Sequence, residues 1–176
     1  MDSHLSDLPH QSSGAPSAPP VLYPWDVGPN VARMQELLNA HGFSLRVDGD
    51  FGWRTEVAVK TFQRRHRLRI DGVVGPETWS TLMATVKPGA RTLRQGYAGA
   101  DVYELQGLLQ VNGYRVQRNG MYDAETKAAV LAFQRQHHLR DDGIVDSVTW
   151  ALLCDKKVPV RPKSNSLFSR VAKPKR

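Results

Sequence analysis

The residues of this 176-residue sequence whose types could do chemistry are mainly aspartates placed beside glycines. Asp48-Gly49 and Asp71-Gly72 each lie between two stretches with helical patterning. Such pairs are typical of tight turns, because Asp bonds its own backbone and Gly adopts positive φ. Carboxylates on turns that border a groove can also accept hydrogen bonds from sugar hydroxyls or peptide amides. A turn-forming role and a binding role therefore both remain open.

None of the common catalytic patterns accompanies these aspartates. The sequence contains neither Gly-x-Ser-x-Gly nor His-Glu-x-x-His. A glycosidase also needs a carboxylic acid of raised pKa in a substantial cleft. The adjacent His137 and His138 point about 100° apart on a helix and cannot readily share a metal ion. We therefore predict that the protein is not an enzyme and that it has no metal site and no cofactor.

The elements that position the aspartates occur twice. At an offset of 71 residues and without a gap, residues 31–82 align with residues 102–153, and 21 of the 52 aligned positions are identical. Phe62-Gln63-Arg64, for example, falls on Phe133-Gln134-Arg135. A fixed offset over this length indicates a duplicated module.

Each copy has the apolar spacing of three helices. In the first copy Val31, Met34 and Leu38 recur at helical spacing, and Val59 and Phe62 do so in the second helix. No alternating strand pattern extends beyond a few residues. The predicted fold class is all-α, with two tandem three-helix modules. Their predicted boundaries are residues 25–86 for the first module and 93–155 for the second, joined by a linker at 87–92.

The net charge of +7 belongs to the C-terminal end of the chain. Residues 156–176 carry eight bases and no acid, whereas the two modules are close to neutral. We predict disorder for this tail and for the Pro/Ser-rich residues 1–24. The tail could attract an anionic polymer or a partner protein. The bases are Lys156, Lys157, Arg161, Lys163, Arg170, Lys173, Lys175 and Arg176.

Other partners and locations are less favoured by the sequence. Nearly neutral modules without a basic recognition helix make nucleic acid an unlikely partner. No apolar run approaches the roughly 18 residues of a transmembrane helix. The N-terminus also lacks the apolar core of a secretory signal. The expected delivery is therefore cytoplasmic synthesis followed by an unconventional route, or a processed or phage-encoded protein.

The repeated residues resemble the three-helix peptidoglycan-binding domain that accompanies many wall hydrolases. The first module carries Asp48-Gly49-Asp50-Phe51-Gly52, Phe62-Gln63 and Thr78-Trp79 at the positions of the family motif. The second module keeps Phe133-Gln134 and Thr149-Trp150. The second module departs from the motif at Asn119, Tyr122, Asp123 and Asp146-Ser147.

The resemblance implies non-catalytic binding of peptidoglycan, at the cell envelope, by residues on the loops of both modules. An alternative is an adaptor that uses the same modules for protein contacts in a wall-associated, phage or secretion assembly. The departures in the second module make the first the stronger predicted binder. The candidate binding residues are Phe43, Asp48, Phe51, Gly52, Asp71, Gly72, Thr78, Tyr114, Tyr122, Asp142 and Gly143.

Overall fold

Two compact helical modules make up the described part of the chain. The computed structural model describes residues 18–155, and the chain divides between Leu82 and Met83. Among these residues there are six helices and no strand, which confirms the predicted all-α class. The helices are α1 (Pro29–Ala40), α2 (Trp53–Arg65), α3 (Pro76–Ala84), α4 (Ala100–Val111), α5 (Ala124–Gln136) and α6 (Ser147–Cys154).

An extended segment before the first helix of each module fixes both of that module's loops. In the first module, Leu22 and Val74 exchange backbone hydrogen bonds of 3.1 and 2.9 Å. Both side chains are buried, so the pairing also closes the core. Equivalent pairing occurs in the second module. The four isolated bridges are Leu22–Val74, Val27–Asp50, Leu93–Val145 and Ala98–Met121.

The helices fold because each has one apolar stripe that the module buries. Removing such a large side chain from water contributes roughly 1.5–3 kcal/mol. Phe62 and Trp79 are each 1% exposed, as their helical spacing predicted, and the Trp79 indole donates to the Pro20 carbonyl at 2.8 Å. The other large buried side chains of this core include Val31, Met34, Leu37, Leu38, Phe51, Val59 and Leu82.

The second module has the same core with two polar additions. The Tyr122 hydroxyl donates to the Gly143 carbonyl at 2.7 Å, a bond that Phe51 cannot make at the equivalent position. A buried ion pair joins Arg91 to Asp101, with 2.7 Å between Nε and Oδ2. Arg91 belongs to the stretch predicted as a linker, yet its side chain is only 5% exposed.

Residues 1–17 and 156–176 of the predicted tails lie outside the described residues. The prediction of disorder was wrong for residues 18–24, because Leu22 pairs with Val74 and is buried, and the Pro20 carbonyl accepts from Trp79. Within residues 18–155, none of the helices combines the length and the apolar character that crossing a bilayer requires.

Candidate functional site

A buried glutamine holds the first Asp-Gly turn against the helices. Gln35 lies on α1 and is 1% exposed. Its Nε2 donates to Asp48 Oδ1 and to the Asp50 carbonyl, both at 2.9 Å, and lies 3.2 Å from Thr55 Oγ1. Its Oε1 accepts from the backbone N–H groups of Asp48 and Gly49 at 3.1 and 2.9 Å. Both ends of the amide are engaged, so the turn is fixed to α1 and to the start of α2.

The second Asp-Gly turn is held in the same way by Gln63 on α2. Its Nε2 donates to Asp71 Oδ1 at 3.0 Å and to the Val73 carbonyl at 2.9 Å, and lies 3.3 Å from Thr78 Oγ1. Its Oε1 accepts from the Gly72 N–H at 3.0 Å. The arrangement therefore occurs twice in one module.

The second module repeats both arrangements, so residues 18–155 contain four glutamine-centred turns. Each combines a buried Gln, an Asp or Asn that accepts from it, a Gly whose N–H donates to it, and a Thr at the start of the next helix. The second-module sets are Gln106 with Asn119, Gly120 and Thr126, and Gln134 with Asp142 and Gly143, beside which the buried Thr149 lies at the start of the next helix.

These contacts favour the ionised form of Asp48 and Asp71 in the first module. The hydrogen bond from the Gln35 amide, followed by that from the Asp50 N–H, lowers the pKa of Asp48 below its usual value. The Val73 N–H and then the Gln63 amide lower the pKa of Asp71. Hydrogen bonds that favour the charged form explain both directions. At neutral pH these carboxylates can accept hydrogen bonds but are poorly suited to donate a proton.

A groove of ≈ 280 Å³ opens on the first module beside the Asp48 turn and the start of α2. Trp53 is 63% exposed at its edge, and the Arg54 guanidinium carbon lies 5.4 Å from the centre of the Trp53 ring. Gly52 supplies no side-chain cap to α2, which leaves first-turn N–H groups for solvent or a ligand. The lining includes Arg46, Asp48, Asp50, Gly52, Trp53 and Arg54.

The structure brings only some of the predicted binding residues to this groove. Asp48 and Gly52 line it. The side chains of Phe51, Thr78 and Tyr122 are 0, 5 and 1% exposed, so their surfaces belong to the cores of their modules.

The remaining predicted residues lie elsewhere. Phe43 is half-buried beneath Arg65, whose guanidinium carbon is 4.9 Å from the ring centre. The Tyr114 hydroxyl donates to Gln136 at 2.6 Å in the second module. Asp71, Gly72, Asp142 and Gly143 belong to the glutamine-centred turns before α3 and α6.

The buried glutamines and the most exposed groove residues were not among the residues predicted from the sequence. Gln35 and Gln63 keep the same residue type in the second copy, as Gln106 and Gln134, which was the available signal. Trp53, in contrast, is not kept between the copies, because the equivalent residue of the second copy is Ala124. A residue that differs between the two copies at an exposed position can therefore indicate function, just as a residue that is identical in both copies can.

At the equivalent place, the second module has an ordinary helix cap. Asp123 Oδ1 accepts from the Thr126 N–H and hydroxyl, both at 2.8 Å. Burial opposes ionisation of Asp123, but the bonds from Thr126 outweigh it and lower the pKa. Gly52, the equivalent of Asp123, leaves this position open in the first module.

Comparison with known proteins identifies the modules. The model of the peptidoglycan binding domain family matches residues 27–82 and again residues 98–153. The chain belongs to the peptidoglycan binding domain family. The family match confirms the resemblance read from the motif, and it assigns the chain to the cell wall as its place of association.

Relatives of this peptidoglycan binding domain protein include wall-lytic enzymes. The N-acetylmuramoyl-L-alanine amidase CwlL of Bacillus licheniformis is 30% identical over 72% of this chain and 43% of the amidase. The amidase CwlM of Mycobacterium tuberculosis is 36% identical over 53% of this chain and 25% of its own length. The Burkholderia AP3 phage endolysin structure is 42% identical, with a TM-score of 0.36, over 38% of this chain and 25% of the endolysin.

These relatives overturn the prediction that the protein is not an enzyme. Proteins that share its modules are named as amidases, and the chain spans less than half of their length. The prediction rested on missing catalytic motifs inside small binding modules. Such modules carry no information about a catalytic activity that resides in a different part of a protein.

Proposed function

We propose that the chain binds peptidoglycan through both modules and thereby holds a wall-lytic activity at its substrate. The observation that carries this proposal is the double family match, at residues 27–82 and 98–153. The four intact glutamine-centred turns support it, since both modules keep the loop framework. The amidase names of the relatives support the lytic part.

Two modules on one chain suit a repetitive polymer. Once one module is bound, the second meets neighbouring wall units at a high effective concentration. Weak individual sites then give strong overall retention. The tandem arrangement therefore favours an anchoring role on insoluble wall material over capture of single soluble fragments.

Co-sedimentation of the full chain with purified sacculi tests the proposal. We expect the protein in the pellet with sacculi, and in the supernatant with cellulose. Soluble muropeptides should compete it off the wall. Protein that stays in the supernatant with sacculi would contradict the binding proposal. Release of soluble muropeptides, measured in the same tubes, tests the lytic part separately.

A further inference from the structure

We infer that the groove of the first module is a specialised site for an amino sugar whose attached peptide carries free carboxylates, and that the second module lacks this site. The inference deepens the proposed peptidoglycan binding by naming the module, the residues and the ligand chemistry. Its principal residues are Trp25, Arg46, Trp53 and Arg54.

The backbone of Trp25 is strained. Its φ is 77°, a left-handed conformation that favours glycine, yet its side chain is 74% exposed. The equivalent residue of the second module is Gly96, with a φ of 91°. The scaffold therefore works with glycine at this position. A strained and exposed Trp contributes little to the core, and such outliers cluster at functional sites.

The backbone pairs the Trp25 segment with the segment of Asp50 and Gly52, which line the groove, although the Trp25 side chain is not itself part of the lining. Its N–H donates to the Phe51 carbonyl at 2.9 Å, and the Phe51 N–H donates to the Asp26 carbonyl at 2.9 Å. This pairing brings the Trp25 segment alongside Phe51 and Gly52, directly before Trp53 on the groove edge. Two exposed indoles are thus carried by paired segments at one side of the module.

The second module has the same fold without the exposed tryptophans, so these side chains are not needed for folding. Its glutamine-centred turns are the same, so differences at exposed positions do not serve the turns. Five of the large exposed side chains of the first module, of which Trp53 lines the groove, have a small or charged counterpart in the second module. The pairs are Tyr23 and Arg94, Trp25 and Gly96, Val27 and Ala98, Trp53 and Ala124, and Val57 and Ala128.

The charged residues that line the groove determine which kind of polymer it can bind. Arg46 and Arg54 line the first-module groove, where the second module has Gln117 and Glu125. Guanidinium groups pair with carboxylates, and indoles cover the apolar faces of sugar rings. A neutral glycan would not use the arginines, while Asp48 and Asp50 repel a uniform polyanion. A muramyl sugar with its stem peptide offers a ring, amides and isolated carboxylates together.

The test copies second-module residues into the full chain. The double variant Trp25→Gly/Trp53→Ala should bind a purified disaccharide-peptide at least tenfold more weakly in calorimetry. It should remain folded by circular dichroism, because glycine suits the backbone at 25. Arg54→Glu should weaken binding of the disaccharide-peptide and leave binding of N-acetylglucosamine oligomers unchanged, since these carry no carboxylate.

A matched control separates the site from general surface effects. Val111→Ala removes a side chain that is 77% exposed on α4 of the second module, and it should leave binding unchanged. If the wild-type protein binds sacculi and the Trp25→Gly/Trp53→Ala variant binds the disaccharide-peptide as tightly as wild type, this inference is overturned and the proposed function is not. Wild-type protein that fails to bind sacculi would overturn the proposed function as well. Equal loss of both ligands in Arg54→Glu would overturn the carboxylate assignment.

Discussion

The side-chain amide of Gln35 lies 2.9 Å from Oδ1 of Asp48, and Gln106 lies the same distance from Oδ1 of Asn119 in the second module. Both Oδ1 atoms also accept a backbone N–H two residues further along, at 3.0 and 2.9 Å. An oxygen acceptor is therefore common to both turns, whereas the negative charge is present in only one.

Asparagine should consequently replace Asp48 with little loss of stability. Asp48→Asn keeps the acceptor that the Gln35 amide and the Asp50 N–H use, whereas Asp48→Ala removes it. We expect a nearly unchanged urea midpoint for Asp48→Asn and a clearly lower midpoint for Asp48→Ala. Equal midpoints for the two variants would contradict the acceptor role.

Gln63 should be among the most sensitive polar residues of the first module. Gln63→Leu leaves the buried Gly72 N–H and the Thr78 hydroxyl without this partner, and each such group costs roughly 1–3 kcal/mol. We expect a loss of about 3 kcal/mol in the free energy of unfolding from urea denaturation. The exposed Gln117→Leu is the control and should stay within about 0.5 kcal/mol of wild type. A loss from Gln63→Leu no larger than that of the control would refute the interpretation.

Asp146 should give α6 a pH-dependent cap. Its Oδ1 accepts from the Thr149 N–H at 2.8 Å, and this bond lowers its pKa from the usual 3.8. Asp146→Ala should cost about 1 kcal/mol at pH 7. Because the folded-state pKa is lowered, the difference from wild type should persist above pH 3.8 and shrink as pH falls below it. Denaturation at pH 7 and pH 2.5 measures this, and a constant difference would exclude a charged cap.

Breaking the buried pair of Arg91 and Asp101 should cost more than replacing it. Asp101→Ala leaves the Arg91 charge without its countercharge in a buried site, and the expected loss is about 3–5 kcal/mol. The double variant Arg91→Leu/Asp101→Leu removes both charges and should be more stable than Asp101→Ala. A double-mutant cycle from urea denaturation measures the coupling. Additive losses would show that the two side chains do not depend on each other.

The basic tail predicted at residues 156–176 should act independently of the groove. Its attraction to a polyanion should fall steeply as the Debye length shrinks from about 10 Å to about 3 Å. Deleting the tail should abolish binding to purified teichoic acid. The same deletion should leave binding to teichoic-acid-free sacculi nearly unchanged, including in 1 M salt. Loss of all sacculus binding on deletion would contradict a role for the modules.

The sequence predicted the helices well because their buried faces are apolar at regular spacing. The 71-residue offset also located both modules before any geometry was known. The glutamine-centred turns could not be found in this way. Gln35 is polar, and patterns of apolar spacing treat polar residues as exposed, although its amide is surrounded by backbone partners at the helix surface.

The proposed binding surface was harder to predict, because the sequence does not show which aromatic and charged side chains are exposed. Aromatic residues of the motif, such as Phe51 and Tyr122, were candidate binding residues, but the structure places them in the cores. Trp53 begins a helix, and only the three-dimensional path of the chain shows that its ring faces outward at a groove. Arg46 and Arg54 likewise come together only when the loop after α1 meets the start of α2.

The four tryptophans should differ in fluorescence, because two are buried and two are exposed to water. Trp79 and Trp150 are 1 and 5% exposed, whereas Trp25 and Trp53 are 74 and 63% exposed. Indoles shielded from water emit at shorter wavelength than hydrated ones. One emission spectrum of the unlabelled chain therefore contains a blue component that follows unfolding of both modules. Its red component comes from the first module alone, and it should move toward the blue when a ligand displaces water from the groove.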